Sequence, residues 1–194
     1  MDLEKHAKLL KELQKDCPNA VLDGAISDEA WSSQPKRLLW ILRETNDFSG
    51  DLRLLLGNPV ELCLYKHWQA TYGLVAKASY GLLTGKWVED AEMLVKDERI
   101  FQKIAIVNVN KVGGHSTASH SELVKAAERF HDVIMKQIEF LDPAVVILGG
   151  VGTRLLRGIP KTRTVVTMYH PNQRTITHRQ YYDRIVKQLE HKNE

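Results

Sequence analysis

Cysteine is scarce in this sequence, whose 194 residues include only Cys17 and Cys63. The two lie far apart, and neither belongs to a Cys-x-x-Cys pair or stands beside a histidine cluster. Zinc sites and iron–sulfur clusters need several such ligands at short spacing, so this chain alone supplies neither. We therefore expect two reduced, buried thiols, with no bound metal and no cofactor.

Long apolar runs are also missing. No stretch approaches the roughly 20 apolar residues that a membrane-spanning helix needs, so we expect no membrane partner. The N-terminus, Met-Asp-Leu-Glu-Lys-His, lacks the basic start and apolar run of a signal peptide, which predicts a cytoplasmic protein. The chain length and a hydrophobic content of 43% predict one domain over residues 1–194, and we expect a monomer.

A strong excess of charge of one sign is the third absence. The chain carries 27 Lys and Arg against 24 Asp and Glu, a net charge of +3, with a pI near 8.8. Such a surface attracts polyanions mildly, phosphate backbones included. The composition therefore permits a nucleic-acid partner without establishing one.

Four short, continuous apolar runs are present, and they predict strands that are covered on both faces. They occupy residues 37–42, 104–109, 144–148 and 164–168. Helical patterns separate them, and strands that alternate with helices form a parallel sheet with helices on both faces. The predicted fold is α/β, with three layers (α/β/α) around a mostly parallel four-stranded sheet.

The helical patterns differ in clarity along the chain. An amphipathic stretch predicts an N-terminal helix over about residues 3–15. A segment rich in Leu, Ala, Tyr and Trp predicts helix over residues 59–83, with Gly73 and Gly81 as interruptions or close-packing points.

Capping signals predict helices in the second half of the chain. Ser119 and Glu122 form a capping box ahead of an apolar pattern with three- and four-residue spacing. A short helix is predicted around residues 153–156, and a final one over about residues 177–190.

Polar segments follow three of the predicted strands at their carboxyl ends: residues 43–47, 108–111 and 169–174. In an open parallel sheet the functional cleft lies beyond these ends, so we expect the three segments to meet at one edge. They would bring carboxylates, amides, a histidine and cations together. That set suits an uncharged polar ring attached to an anionic group.

The same segments resemble the motifs of a known family. Residues 39–47 stand where that family has an apolar strand followed by Gly-Glu-Ala-Pro-Gly or Gly-Ile-Asn-Pro-Gly. Residues 106–111 are similar to its Ile-Thr-Asn-Val-Val-Lys segment, and residues 170–174 to its His-Pro-Ser-Pro loop. Over roughly residues 36–190, the chain thus resembles the uracil-DNA glycosylase superfamily.

Departures from the family's motifs and a lack of cysteines narrow the choice of branch within the superfamily. Arg43 and Asn46 replace the Gly and Pro of the first motif, and two cysteines cannot hold the iron–sulfur cluster of two branches. A cluster-free branch is implied, with a uracil-DNA glycosylase-like fold. The implied activity is that of a monofunctional DNA glycosylase, which flips a pyrimidine out of DNA and hydrolyses its N-glycosidic bond to leave an abasic site.

The resemblance also implies catalytic roles. Glu44 aligns with the catalytic Glu of one branch and would aim a water and stabilise the oxocarbenium-like sugar. Asn46 and Asp47 are rivals for the water, and a carboxylate after a strand could equally cap a helix. His170 would donate a hydrogen bond to O2 of the leaving base, the alternative being a loop histidine packed beside a proline.

Base recognition is implied for Asn108, whose amide offers a donor and an acceptor to a flipped pyrimidine. The alternative is an Asn that satisfies the open end of a strand. The expected stacking aromatic is Phe48, Tyr65 or Trp68, although the last two could equally belong to the core.

DNA contacts are implied mainly for the His-Pro loop. Arg174 stands where the superfamily pushes a side chain into the duplex. The remaining candidates for contacts with DNA are Arg43, Lys111, Lys161, Arg163, Asn172 and Gln173.

Asp47 stands near the position where uracil-specific enzymes close the pocket at C5 with a bulky Tyr. A small acidic group would accept a polar C5 substituent, which favours a C5-modified cytosine, such as the glucosylated hydroxymethylcytosine of phage DNA, and a role in anti-phage defence. Uracil excision in base-excision repair is the alternative. A nucleoside deoxyribosyltransferase-like enzyme and a catalytically inactive DNA-binding module are the rival classes.

Overall fold

A five-stranded mixed sheet forms the centre of the protein in a computed structural model, which describes residues 1–45, 48–65, 68–113 and 119–192. The strands are β1 (Gly24–Ala25), β2 (Leu38–Leu42), β3 (Ala105–Asn108), β4 (Val145–Gly149) and β5 (Thr164–Met168). Their order is β1-β3-β2-β4-β5; β2 to β5 run parallel, and β1 is antiparallel to β3.

The four predicted strands are confirmed as β2 to β5, and every residue of β2, β3 and β4 is buried. The expected count of four is wrong by one, because β1 was missed. A strand of two residues is too short to show alternation or an apolar run.

Helices cover both faces of the sheet, as predicted. They are α1 (Leu3–Asp16), α2 (Asp28–Ser32), α3 (Leu52–Gly57), α4 (Pro59–Leu64), α5 (Leu74–Thr84), α6 (Ala91–Lys96), α7 (His120–Leu141) and α8 (His178–Glu190). Leu13, Trp31 and Phe130 bring α1, α2 and α7 onto one face. The other face is covered by α3 to α6 and α8, with Leu74 and Tyr181 among its buried residues.

Several helix predictions are confirmed with their caps. Helix α1 ends one residue beyond the expected range. Ser119 and Glu122 form the expected capping box at the start of α7, and Thr177 caps α8. The helix expected around residues 153–156 is wrong, because this connection forms turns.

The segment over residues 59–83 is helical but interrupted. Helix α4 ends at Leu64, and a π-helical turn, Gln69–Gly73, leads into α5. Gly81 lies inside α5, where an added Cβ would come within 2.6 Å of the Tyr182 ring. It is therefore a close-packing point between α5 and α8.

The connections place β2 at the turning point of the sheet. From β2 the chain moves to β3 on one side, and α7 then carries it to β4 on the other side. Ligands of open α/β sheets bind beyond the carboxyl ends of the strands at such a switch point. The segments that follow β2, β3 and β5 lie at this edge.

Within the described ranges, no helix is both long and apolar enough to cross a bilayer. The same residues contain no group of three or more His, Cys, Asp or Glu side chains placed to hold a metal ion. Cys17 and Cys63 are free thiols, but both are partly exposed, so the expectation of buried thiols is wrong.

Candidate functional site

The carboxyl edge of the sheet gathers the segments that carry Glu44, Asn108 and His170. Leu42 at the end of β2 lies opposite Asn108 at the end of β3, and the backbone N–H of Val109 donates to Leu42 O at 2.8 Å. His170 follows β5 by two residues. No predicted catalytic or base-binding residue with a described position falls on the amino edge.

Two glycines, the last residue of β4 and the one that follows it, allow the His-Pro loop to approach the sheet. An added Cβ on Gly149 would meet Leu42 Cδ2 at 2.8 Å and Pro171 Cδ at 3.2 Å. Gly150 has a φ of +78°, and its Cβ would lie 2.7 Å from Cβ of His170. A glycine pair at the end of a strand is a sequence signal of such a close backbone approach.

His170 is half-buried and electrically neutral at ordinary pH. Burial, reinforced by the positive charge of Arg43, lowers the pKa of its imidazole to about 4. Its Nδ1 accepts a hydrogen bond from the backbone N–H of Asn172 at 3.2 Å. The proton of the neutral ring is therefore assigned to Nε2, which makes that atom a hydrogen-bond donor.

The first motif is only partly described. Glu44 is half-buried two residues beyond β2. Asn46 and Asp47, the other predicted water-positioning residues, lie outside the described residues. On either side of them, Thr45 Oγ1 donates to Phe48 O at 3.0 Å, and the Phe48 N–H donates to Thr45 O at 3.2 Å. These bonds hold the two ends of the motif together.

Asn108 is fully buried at the end of β3. Its backbone N–H donates to Asp23 Oδ2 at 2.7 Å, and its side-chain Nδ2 donates to the same oxygen at 3.2 Å. Its Oδ1 is shielded from water and has no hydrogen-bond partner among the described residues. A buried acceptor without a donor costs roughly 1–3 kcal/mol, so this oxygen needs an explanation.

Lys111 was predicted to contact DNA phosphates, and that prediction is wrong. The side chain is fully buried, and its Nζ donates to Asp23 Oδ1 and to Gln137 Oε1, both at 2.6 Å. Burial lowers the pKa of Lys111, and the Asp23 carboxylate opposes that shift. The ammonium group thus holds the interior together and cannot reach a phosphate.

The three candidate aromatics separate by burial. Trp68 is only 5% exposed and packs within the core, so the alternative of a core residue is the one that its burial favours. Phe48 and Tyr65 form an edge-to-face pair, with ring centroids 6.4 Å apart and an interplanar angle of 85°. Phe48 packs against the core that includes Ile106, and Asn108 shares the strand parity of Ile106, so both lie on one face of the sheet.

The His-Pro loop is held by Gln173, which was predicted to contact DNA. Its Oε1 accepts the N–H groups of Thr175 at 2.6 Å and Ile176 at 2.9 Å, and its Nε2 donates to Ile176 O at 2.9 Å. The side chain therefore shapes the loop. Asn172 and Arg174 are exposed on it and remain candidates for contact with DNA.

Two of the proposed phosphate contacts are misplaced. Lys161 and Arg163 precede β5, so they lie at the amino edge, away from the other candidates. The Arg163 guanidinium pairs there with Asp142. The predicted contact of Arg163 with DNA at the candidate site is therefore wrong. Arg43, in contrast, lies at the carboxyl edge, close enough to lower the pKa of His170.

Comparisons with known proteins give no assignment, since no family model matches the chain and no curated protein matches it. The geometry at the carboxyl edge is therefore the basis for a functional conclusion.

Proposed function

We propose that the protein is a DNA glycosylase with a uracil-DNA glycosylase-like fold, which flips a pyrimidine out of DNA and hydrolyses its N-glycosidic bond. The observation that carries the proposal is the neutral His170, whose Nε2–H is a donor at the same sheet edge as Asn108, whose Oδ1 has no hydrogen-bond partner in the described part of the chain. One group suits the leaving oxygen of a base, and the other suits its hydrogen-bonding edge.

His170 acts on the leaving group. As the N-glycosidic bond breaks, electrons move into the base and negative charge develops on O2. A donor fixed before the reaction stabilises that charge more than it stabilises the neutral ground state, which raises the rate. A neutral imidazole can do this without a net charge that would also bind other anions, and the hydrogen bond from Asn172 fixes its orientation.

Glu44 acts on the sugar. A carboxylate beside the anomeric carbon stabilises the positive charge of the oxocarbenium-like state, and it can orient the water that completes hydrolysis. The half-buried position of Glu44 just after β2 supports this role. Asn46 and Asp47 remain proposals for the same water.

Arg174 is proposed as the residue that fills the space left by the extruded nucleotide, because it is exposed on a loop that Gln173 braces. Phe48 and Tyr65 are proposed as the platform on which the extruded base stacks. The proposed substrates remain those implied by the sequence: a C5-modified cytosine of phage DNA, as Asp47 suggests, or uracil.

The direct test uses oligonucleotides that contain uracil, 5-hydroxymethylcytosine or glucosylated 5-hydroxymethylcytosine, followed by alkaline cleavage of abasic sites. We expect strand breaks with at least one substrate. Glu44→Gln should lower the single-turnover rate by about 100-fold or more, because the isosteric amide lacks the charge. Glu190→Gln, at the end of α8, is the matched control and should leave the rate unchanged.

Other outcomes would identify a rival class. Salt-sensitive DNA binding with no abasic product from any oligonucleotide would contradict the proposal and indicate a binding module. Base exchange on free nucleosides that is indifferent to Arg174→Ala would indicate a deoxyribosyltransferase instead.

A further inference from the structure

Arg43 is the first residue beyond β2 and lies at the turning point of the sheet. Its backbone is fixed there, because the N–H of Asn110 donates to Arg43 O at 2.8 Å. The side chain is half-buried, and its Nε atom is shielded from water. The guanidinium is therefore partly removed from bulk solvent, where a charge is screened less and acts more strongly than on an open surface.

The register of the sheet brings Arg43 close to the His-Pro loop. In the parallel pair of β2 and β4, Ile41 lies opposite Leu148. The same register, continued by two residues, sets Arg43 opposite Gly150. An added Cβ on Gly150 would lie 2.7 Å from Cβ and 3.0 Å from Cα of His170. Gly150 therefore places no side chain between Arg43 and the imidazole.

Two further observations agree with this closeness. An added Cβ on Gly149 would meet Leu42 Cδ2 at 2.8 Å and Pro171 Cδ at 3.2 Å. The residues next to Arg43 and His170 thus pack against the same glycine. Burial lowers the pKa of the His170 imidazole, and the positive charge of Arg43 lowers it further. The guanidinium and the imidazole therefore act on one small region of the carboxyl edge.

We propose that Arg43 is a second stabiliser of the leaving base, whose fixed positive charge favours the anionic form of a pyrimidine held against His170. The inference rests on the proposed function, in which the base departs as an anion. When the N-glycosidic bond breaks, its electron pair moves into the ring, and the negative charge is shared by N1 and O2. Water adds to the oxocarbenium-like carbon and gives up a proton to solvent, and the base later takes a proton from solvent.

The two groups contribute in different ways. The imidazole gives O2 a directional hydrogen bond, but it is neutral and offers no net charge. A partly buried cation beside it adds an attraction that is weak towards the neutral base and strong towards the anion. An interaction that is stronger in the transition state than in the ground state raises the rate.

A contact with a DNA phosphate is the other role open to Arg43 at this edge. Such a contact needs a guanidinium at the surface, as Arg174 provides on its exposed loop. Arg43 instead is half-buried, and its charge reaches the His170 imidazole. The motif that residues 39–47 resemble has Gly at position 43, so this cation is an addition to the groups that the resemblance implies.

The first test varies the leaving group. Fluorine at C5 withdraws electrons and makes the pyrimidine anion easier to form, so 5-fluorouracil needs less stabilisation from the protein than uracil does. Single-turnover excision of the two bases is measured with the protein in saturating excess. For Arg43→Gln, we expect the rate to fall about 30-fold with uracil but only about tenfold with 5-fluorouracil. Arg43→Lys keeps the charge and should recover most of the loss.

The controls separate the leaving group from other roles. Arg184→Gln removes the same charge from an exposed position on α8 and should leave both rates unchanged. If Arg43→Gln does not fold, Arg43→Met keeps the aliphatic stem without the charge and tests the same expectation. Equal losses with the two bases overturn the inference, and a smaller salt dependence of DNA binding would then identify a phosphate contact. Rates equal to those of the control overturn it as well.

A second readout does not require catalysis. 5-Fluorouracil is added to the protein with an oligonucleotide that contains an abasic site, and its ionisation is followed by fluorine NMR as the pH is raised. We expect the wild type and Arg184→Gln to lower the pKa of the bound base below that of the free base, and Arg43→Gln to lower it less.

The second readout distinguishes failure of the inference from failure of the proposed function. A lowered pKa of the bound base that depends on Arg43, without excision from any oligonucleotide, supports the inference and contradicts the proposed glycosylase activity. Equal pKa values of the base in the wild type and in Arg43→Gln overturn the inference, and excision by the wild type would then leave the proposed function standing.

Discussion

The two edges of the sheet carry polar groups of similar kinds but use them differently. At the amino edge, Asp142 accepts hydrogen bonds from Arg37 and Arg163 and lies 3.5 Å from the N-terminal amine. At the carboxyl edge, among the residues that the structure describes, the Asn108 side chain is bound through Nδ2 alone, and the His170 ring is bound through Nδ1 alone.

The comparison shows that the number of partners around a polar group, and not its chemical type, distinguishes the two edges. A carboxylate that is paired with several cations, as Asp142 is, has its acceptor sites filled and is not available to bind a ligand. An imidazole that is fixed through one ring nitrogen has lost its orientational freedom before any ligand binds, which is the property that a catalytic donor needs. Variants at the two edges should therefore differ in whether they lower activity or stability.

The largest effect is expected from a substitution of His170, the proposed hydrogen-bond donor. His170→Gln replaces the imidazole by a more flexible amide and loses the preorganised Nε2–H, so kcat/KM for the proposed excision should fall about 10²- to 10³-fold. Thermal unfolding should change little, because the ring is only half-buried. His131→Gln, on α7, is the matched control, and an equal loss of activity in both variants would remove the distinction between the edges.

Acid should destabilise the fold through His6, which lies beside the buried side chain of Gln137. Burial lowers the pKa of His6 to about 4, with smaller effects from the neighbouring charges. His6 therefore stabilises the fold fully above its unfolded pKa of about 6.5, and this contribution is lost as the pH falls towards 4, for a total of roughly 3 kcal/mol.

Denaturant unfolding at several pH values measures this contribution. His6→Leu should reduce the loss of unfolding free energy between pH 7 and pH 4, whereas His120→Gln, at the exposed start of α7, should not. An unchanged pH dependence in His6→Leu would show that His6 takes up its proton as readily in the folded protein as in the unfolded chain.

A substitution next to His170 should damage both stability and activity. Gly150→Ala introduces a Cβ at a φ of +78° and within 2.7 Å of His170 Cβ, so we expect a loss of about 1–2 kcal/mol and a fall of about tenfold in kcat/KM. Gly85→Ala has the same backbone strain at a φ of +75° but no neighbouring atom within 4 Å. It should lose stability alone, and equal activity losses in the two variants would mean that the contact with His170 is irrelevant.

The sequence predicts the sheet well because its central strands are buried on both faces. The continuous apolar runs of β2, β3 and β4 reflect that burial directly. It predicts the edge on which the polar residues lie for a similar reason, since the carboxyl ends of parallel strands must meet. The two residues of β1 carry no such signal.

The sequence could not predict which polar residues the fold would bury. Lys111 next to a motif resembles a phosphate contact, and only the fold places Asp23 and Gln137 around its ammonium group. Asp23 lies 85 residues from Asn108, so no local pattern joins them.

The smallest effect is expected at the amino edge. Partial burial raises the pKa of Asp142, but the hydrogen bond and charge of Arg163 outweigh it, so the net pKa is lowered. Asp142→Asn removes only the charge, because Asn also tolerates the φ of +52° at this position. We expect the free energy of unfolding, measured with denaturant, to fall by about 1 kcal/mol. The rate of the proposed excision should remain at the wild-type value, because the ion pairs of Asp142 lie at the amino edge and the candidate site lies at the carboxyl edge. A fall in kcat/KM larger than the fall in folded protein would show that the two edges are coupled through the sheet.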